Sequence, residues 1–315
     1  ICCLLSAHAT NEMAALDMEH LLPAYTLLET LCQQYLCNAG RAVQEAEVPV
    51  WHHKLLLAWC AKQLPLSTRA VTPADVRAAH PNLWAEVQLA QQCGPRFAEA
   101  LSGEIAYQEL LFPGGSMEMV LPVYENAVGS HFYNGCVVAA VEVLIDLLPD
   151  APHRVMALEV GAGSGGTASS VLPVLDGRCE RYIFTDVSDV FLRQAKIRFT
   201  NFAFVEYTLL NIDADPRLQG LSTRQFHVII STNCLHATPF MYNTLHHCER
   251  LLREGGLLIA NDALSTSAFT QMTFGMTDGW WLFAESRDPD RVGQDSPLLS
   301  WRQWQALLAS SGFCH

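Results

Sequence analysis

In Leu158-Glu159-Val160-Gly161-Ala162-Gly163-Ser164-Gly165-Gly166-Thr167 an apolar run that begins at Val155 meets an acid, then a glycine-rich turn, then a helical pattern that continues through Val174. The order is strand, turn, helix. Glycines at such a turn accept positive φ and let the backbone approach a ligand without a Cβ in the way. The amides that open the helix can then face an anionic or polar group. The spacing fits the dinucleotide fingerprint G-x-G-x-x-G, and Asp186 follows at about the distance expected of a ribose-binding acid. A tight βα turn with no ligand at all fits the same residues.

Glu159 separates the ligand classes. An acid two residues before the first glycine suits a ligand with positive charge beside its ribose. S-adenosylmethionine carries an ammonium and a sulfonium, whereas NAD offers a pyrophosphate that a carboxylate repels.

Outward from this turn, strand and helix alternate, which predicts a parallel sheet with helices on both faces. Strands are expected at 155–160, 181–186, 203–208, 226–232 and 256–262, with helices at 165–176, 188–199, 239–252 and within 266–284. Such a sheet binds its ligand at the carboxyl edge of the strands. A last helix is expected over about 300–310, and no residues then remain for the antiparallel hairpin that usually completes such a sheet. The hairpin lies beyond residue 315 or the domain is split.

Upstream, residues 1–110 read as helical, with apolar positions at helical spacing over His20–Leu36 and Leu55–Leu64. Thr72, Pro73 and Asp75 form a helix start: a capping hydroxyl, proline at the first helical position and an acid in the first turn. A helix is expected from Asn82 to Gln92, closed by Gly94-Pro95. Residues 111–150 read as a hinge rich in Gly, Pro and Asn leading into a helix from about Val128 to Leu148, and 151–315 as the ligand-binding core. The helical region suits a lid, a dimerisation surface or a substrate platform.

Half of the 315 residues are hydrophobic and 16% are charged, which implies a sizeable buried core. A net charge of −13 without Lys/Arg clusters argues against a nucleic-acid partner. The 11 cysteines include no C-x-x-C pair and read as reduced, which points to the cytoplasm. The paired histidines His52-His53 and His246-His247 lack a partner at metal-ligand spacing, so no metal is expected. No run approaches the eighteen or so apolar residues of a membrane span. Ile1-Cys2-Cys3-Leu4-Leu5 has no basic flank and is too short for a signal peptide. Without an initiating Met, the chain reads as a domain of something longer.

Further motifs fall in order along 109–313: Leu111-Phe112-Pro113 with Ser116-Met117-Glu118, Phe184-Thr185-Asp186-Val187-Ser188, Asp215-Pro216 with Gln219-Gly220, Asn233-Cys234-Leu235-His236-Ala237-Thr238, Gly255 to Asp262, Thr273 to Trp281 and Ser296 to Trp301. The set resembles the S-adenosylmethionine-dependent methyltransferase domains of modular polyketide synthases. That resemblance implies a class I methyltransferase, a Rossmann-like α/β fold preceded by a helical lid. It implies that Glu159, Gly161, Gly163 and Gly165 hold the methionine and ribose part of the cofactor, that Asp186 binds the ribose hydroxyls and that Asn211-Ile212-Asp213 flanks the adenine. It places Asn233 near the sulfonium and makes His236 the base, oriented by a carboxylate at the end of strand five.

The resemblance further implies C-methylation of a β-ketoacyl chain on the phosphopantetheine of an acyl carrier protein, among neighbouring synthase domains and with no nucleic acid or membrane. The O-methylating branch, acting on a β-hydroxyl, carries the same motifs. A nicotinamide-dependent oxidoreductase fits the glycine loop but neither Glu159 nor the His236 motif. The family usually has Glu where this chain has Asp262, one methylene shorter, and often Asp where it has Asn211. Three outcomes are open at Asp262: the pair forms after a small shift, Asn261 shares the work, or the domain is a non-methylating scaffold.

Overall fold

The computed structural model describes residues 18–62, 70–148 and 155–313; the opening apolar run lies outside them. Five parallel strands form one sheet in the order β3-β2-β1-β4-β5. They are β1 Val155–Glu159, β2 Cys179–Asp186, β3 Val205–Leu209, β4 Phe226–Thr232 and β5 Leu252–Asn261. The sequence order reverses between β1 and β4, which opens a crevice at their carboxyl ends.

Before the sheet come α1 Met18–Ala42, α2 Trp51–Ala61, α3 Pro73–Ala79, α4 Trp84–Cys93, α5 Phe97–Ser102, α6 Gln108–Leu111, α7 Leu121–Glu125 and α8 Val128–Leu147. Thr72 caps α3 in a reciprocal box with Asp75, as its sequence implies. Gly94-Pro95 closes the preceding helix at Cys93, with Gly94 as its cap, and a 3-10 turn, Gly94–Arg96, leads on into α5. Gly94 also lets the Tyr35 ring come within 2.3 Å of where a Cβ would stand.

The sheet is covered on both faces. Against one lie α8, α9 (Gly166–Leu175) and α10 (Asp189–Arg198), through Val141, Leu144, Val171, Leu172 and Phe199. Against the other lie α11 (Met241–Leu251) and α14 (Trp301–Ser310), through Met241, Leu245, Trp304 and Leu307. By length and composition α8 could cross a membrane, which the sequence reading missed. Its Val137, Val141 and Leu144 are instead spent on the core under the sheet. Strand β5 begins at Leu252, earlier than expected, because Gly255 (φ 73°) and a register irregularity between Phe226 and Val228 keep the Gly-Gly pair within the strand.

The helical region has its own hydrophobic core, and that core is not built from the N-terminal helices alone. Residues after β5 enter it: α12 (Ala268–Thr273) through Phe269 and Met272, then Met276, Trp280 and Trp281, then Phe283 of α13 (Leu282–Ser286) and Leu298. The sequence reading assigned this stretch to the ligand-binding core. Polar contacts fix the same junction. The Glu29 carboxylate of α1 accepts from the Ala268 amide at 2.8 and 2.9 Å, and His52 and His53 of α2 both bond the Met276 carbonyl.

Glu29→Ala should remove the acceptor of a helix-opening amide and cost about 1–3 kcal/mol. The check is a lower denaturant midpoint with an unchanged m-value.

Candidate active site

The glycine turn is shaped by three left-handed residues that serve different ends. Gly161 (φ 63°) lies so near the loop after β4 that a Cβ would fall 2.0 Å from Cys234 Sγ. Gly165 (φ 78°) is pressed against Phe199, 2.7 Å from a would-be Cβ. Gly163 (φ 53°) differs, since the nearest atom to its would-be Cβ is 4.0 Å away. The turn is therefore tight where it meets protein and open at its crest. Asp186, at the end of β2, braces that crest: it accepts from the Gly163 amide at 3.0 Å and from the Ser188 amide at 2.8 Å.

Glu159 is buried at the end of β1 and accepts from the Tyr182 hydroxyl at 2.8 Å. Burial pushes its carboxyl up to about 8, opposed by the Tyr182 hydrogen bond and reinforced by the Asp186 charge. Burial also raises Asp186, against the pull of the amides it accepts from.

Strands β4 and β5 end in register, Thr232 beside Asn261, so the loop after one meets the residue after the other. Asn233 turns the chain with φ 48°, donates its amide to the Asn261 carbonyl at 2.8 Å and accepts from the Ala263 amide at 3.3 Å. Asn261 joins through its main chain. The Asp262 carboxylate takes the His236 amide at 3.3 Å and also bonds the imidazole Nδ1. A short aspartate thus reaches, because the loop brings the histidine to it. In the tautomer whose Nδ1 donates to the carboxylate, Nε2 is left with a lone pair. Both side chains are buried, and Trp280 packs edge-to-face on the imidazole at 5.5 Å between ring centroids.

Arg291 is a residue the sequence reading missed. Its guanidinium is fully buried and all five N–H groups find acceptors. Nε donates to Asp288 at 2.6 Å, Nη1 to the carbonyls of His236 (2.6 Å) and Pro297 (3.4 Å), and Nη2 to those of Thr238 (2.6 Å) and Pro239 (3.2 Å). Burial lowers its pKa, while Asp288, Asp290 and Asp262 oppose that change. Nothing local in Asp288-Pro289-Asp290-Arg291 announces such a role.

Two further groups frame the site. Tyr124 of α7 is held far from ionisation by burial first, then by the neighbouring Cys234 and Asp262. Thr167 of α9 joins Asn134 of α8 (3.0 Å) to Thr232 (2.9 Å), and Asn134 donates to the Tyr124 carbonyl at 3.1 Å. Tyr133 of α8 is half exposed.

The Asn211-Ile212-Asp213 loop follows β3 along the same edge. Asn211 accepts from the Asp213 amide, Ile212 is buried with its carbonyl on His247 Nδ1 at 2.7 Å, and Asp213 accepts from the Phe240 amide at 3.3 Å. The edge thus gathers an open glycine crest, two buried acids and a histidine–carboxylate pair. Such a donor set fits a cationic nucleoside ligand beside a proton acceptor.

Residues 158–258 match the family model described as a methyltransferase domain. Over 222 residues the chain is 38% identical to polyketide synthase ThaG of Burkholderia thailandensis, a match taking in 69% of this chain and 4% of that protein. The chain is similar in structure to the CurJ carbon methyltransferase, with TM-score 0.88 and 26% identity over 98% of this chain and 90% of that one. The DszA carbon methyltransferase is similar with TM-score 0.82 and 27% identity, over 96% of this chain and 86% of that one. The chain spans between 4% and 13% of the length of the curated polyketide synthases it matches. The fold is a class I, Rossmann-like methyltransferase fold with an added helical N-terminal region.

Replacing Arg291 by Leu should strand a buried Asp288 and cost about 3–5 kcal/mol, with the Asp288→Leu/Arg291→Leu pair recovering part of it in a double-mutant cycle. Glu159 gives a pH signature. Its proton is held more tightly in the folded chain than in the unfolded one, so its contribution to stability falls as pH rises from about 4.5 to about 8. Glu159→Gln should therefore gain on wild type across that window, by an amount on the order of a few kcal/mol. Chemical unfolding at pH 5 and pH 8 checks it.

Proposed function

The chain belongs to the methyltransferase domains found in polyketide synthases, and from that premise we propose that it methylates the α-carbon of a β-ketoacyl chain carried by an acyl carrier protein. The observation that carries this reading is the buried His236–Asp262 pair at the sheet edge, beside the open crest of the glycine turn. S-adenosylmethionine would supply an electrophilic methyl group there. Glu159, Gly161, Gly163, Gly165, Asp186, Asn233 and the Asn211-Ile212-Asp213 loop are the residues that would hold it. Two carboxyls in a buried setting suit its positive charges, and binding a cation would drive Glu159 to ionise.

The chain's own work is proton transfer and positioning. Asp262 fixes the imidazole ring and its tautomer, so Nε2 faces the acceptor as a base. The carboxylate then stabilises the imidazolium that forms, as the third member of a triad does. An α-carbon between a ketone and a thioester is acidic enough for an imidazole to deprotonate. Arg291 holds the loop that carries the base without touching the acceptor. Burial of His236, Asp262 and Trp280 keeps bulk water from the reacting carbon. The acyl carrier protein with its pantetheine arm and the neighbouring synthase domains are the partners this reading requires, and a cytoplasmic location belongs to the same proposal.

Turnover of a β-ketoacyl thioester on an acyl carrier protein tests it. Wild type should place a methyl on carbon, and His236→Ala should lower the rate by about 10²–10⁴-fold with cofactor affinity little changed. A product whose methyl leaves as methanol on fragmentation would move the reaction to oxygen. Failure to bind S-adenosylmethionine would sink the enzyme reading and leave a scaffold.

A further inference from the structure

Trp280 and Trp281 are neighbours in one short 3-10 turn, Asp278–Trp281, yet their indole N–H groups have different fates. Trp281 Nε1 donates to the Gly275 carbonyl at 2.7 Å, and its ring stacks with Phe283. The fold uses that N–H. Trp280 is just as buried, at 5% exposure, but its Nε1 has no acceptor among the described residues. A buried donor without an acceptor is a cost that phenylalanine, filling the same place, would not carry. The unspent N–H belongs to the ring that packs at 79° on the His236 imidazole. Its turn is seated directly on the loop of the base, with a Cβ at Gly279 lying 3.8 Å from that of Ala237.

Resting on the β-ketoacyl reading above, we infer that Trp280 Nε1 is the hydrogen-bond donor to the acceptor's developing enolate oxygen. When His236 Nε2 takes the α-proton, the C–H bond breaks and an N–H bond forms. The freed electron pair delocalises onto an oxygen two bonds from that carbon. That charge arises in a site closed to water, where a fixed neutral donor is worth more than in solution. Arg291, the nearby cation, has every N–H engaged by Asp288 and main-chain carbonyls, so it has none to give. In this assignment Asp262, His236 and Trp280 work as orienter, base and oxyanion donor.

The experiment uses acetoacetyl-pantetheine in D₂O with S-adenosylhomocysteine present, and follows enzyme-dependent exchange of the α-protons alongside methyl transfer under turnover. Trp280→Phe keeps the aromatic packing and loses the N–H. A benzothienyl-alanine at position 280, with sulfur in place of N–H, keeps the bicyclic shape if Phe packs poorly. Both should slow exchange and methyl transfer together by about 10²-fold, with S-adenosylmethionine affinity unchanged. Trp281→Phe should lower the melting temperature and leave exchange within a few-fold of wild type. Wild-type exchange rates in the benzothienyl variant would overturn the assignment. So would slowed methyl transfer with normal exchange. A wild type that neither exchanges nor methylates this acceptor would overturn the β-ketoacyl reading itself, and the wild-type control separates that failure from a failure of Trp280 alone.

Discussion

A single buried cation fixes the geometry of this site. Taking a guanidinium out of water costs several kcal/mol, and the cost is offset only when its charge and every N–H are matched. Arg291 meets both conditions, with Asp288 for the charge and main-chain carbonyls for the remaining donors. Those carbonyls belong to His236, Thr238, Pro239 and Pro297, so one side chain ties the loop after β4 to the stretch leading into α14. Because the loop cannot shift without unpairing a buried charge, the imidazole stays where Asp262 can reach it. Arg291 thus positions the imidazole through the His236 main chain, without touching the ring.

The acids of the site form a second constraint. Cys234 lies against Gly161 and is pushed up by burial, then by Asp186 and Asp262, so it marks where the glycine turn and the His236–Asp262 pair meet. Glu159 adds a third carboxyl behind the glycine turn, with its own proton affinity raised. Burial thus favours the protonated forms of Glu159 and Asp186, and entry of a cation would favour their ionised forms. Three carboxyls gathered along one edge, Glu159, Asp186 and Asp262, are complementary to a positively charged ligand.

Much of the sheet was legible in the sequence because apolar runs, glycine turns and strand-ending acids punctuate it at fixed intervals; β1 and β4 are found close to where their residues predict them. The strand expected from Gly256 starts instead at Leu252, because the positive φ of Gly255 is absorbed inside the strand. His236 and Asp262 were each visible, but their meeting depends on the register of Thr232 with Asn261, which no local pattern encodes. Arg291 was invisible for a related reason: its importance is burial, and its flanking residues look like an ordinary polar loop. The membership of Phe269, Met272 and Trp280 in the core of the helical region was illegible as well, since their partners there lie more than a hundred residues upstream.

That last feature bears on how the chain is made. The bonds from His52 and His53 to the Met276 carbonyl span 224 and 223 residues. At about 5–20 residues per second, α2 leaves the ribosome roughly 11–45 s before the strand of chain that completes its core. Until then the helices already made have no Phe269, Met272 or Trp280 to pack against, and their apolar faces are open to other partners. The sheet must therefore be laid down between the two parts of the helical region's core, and α14, which covers one face of the sheet through Trp304 and Leu307, follows later still.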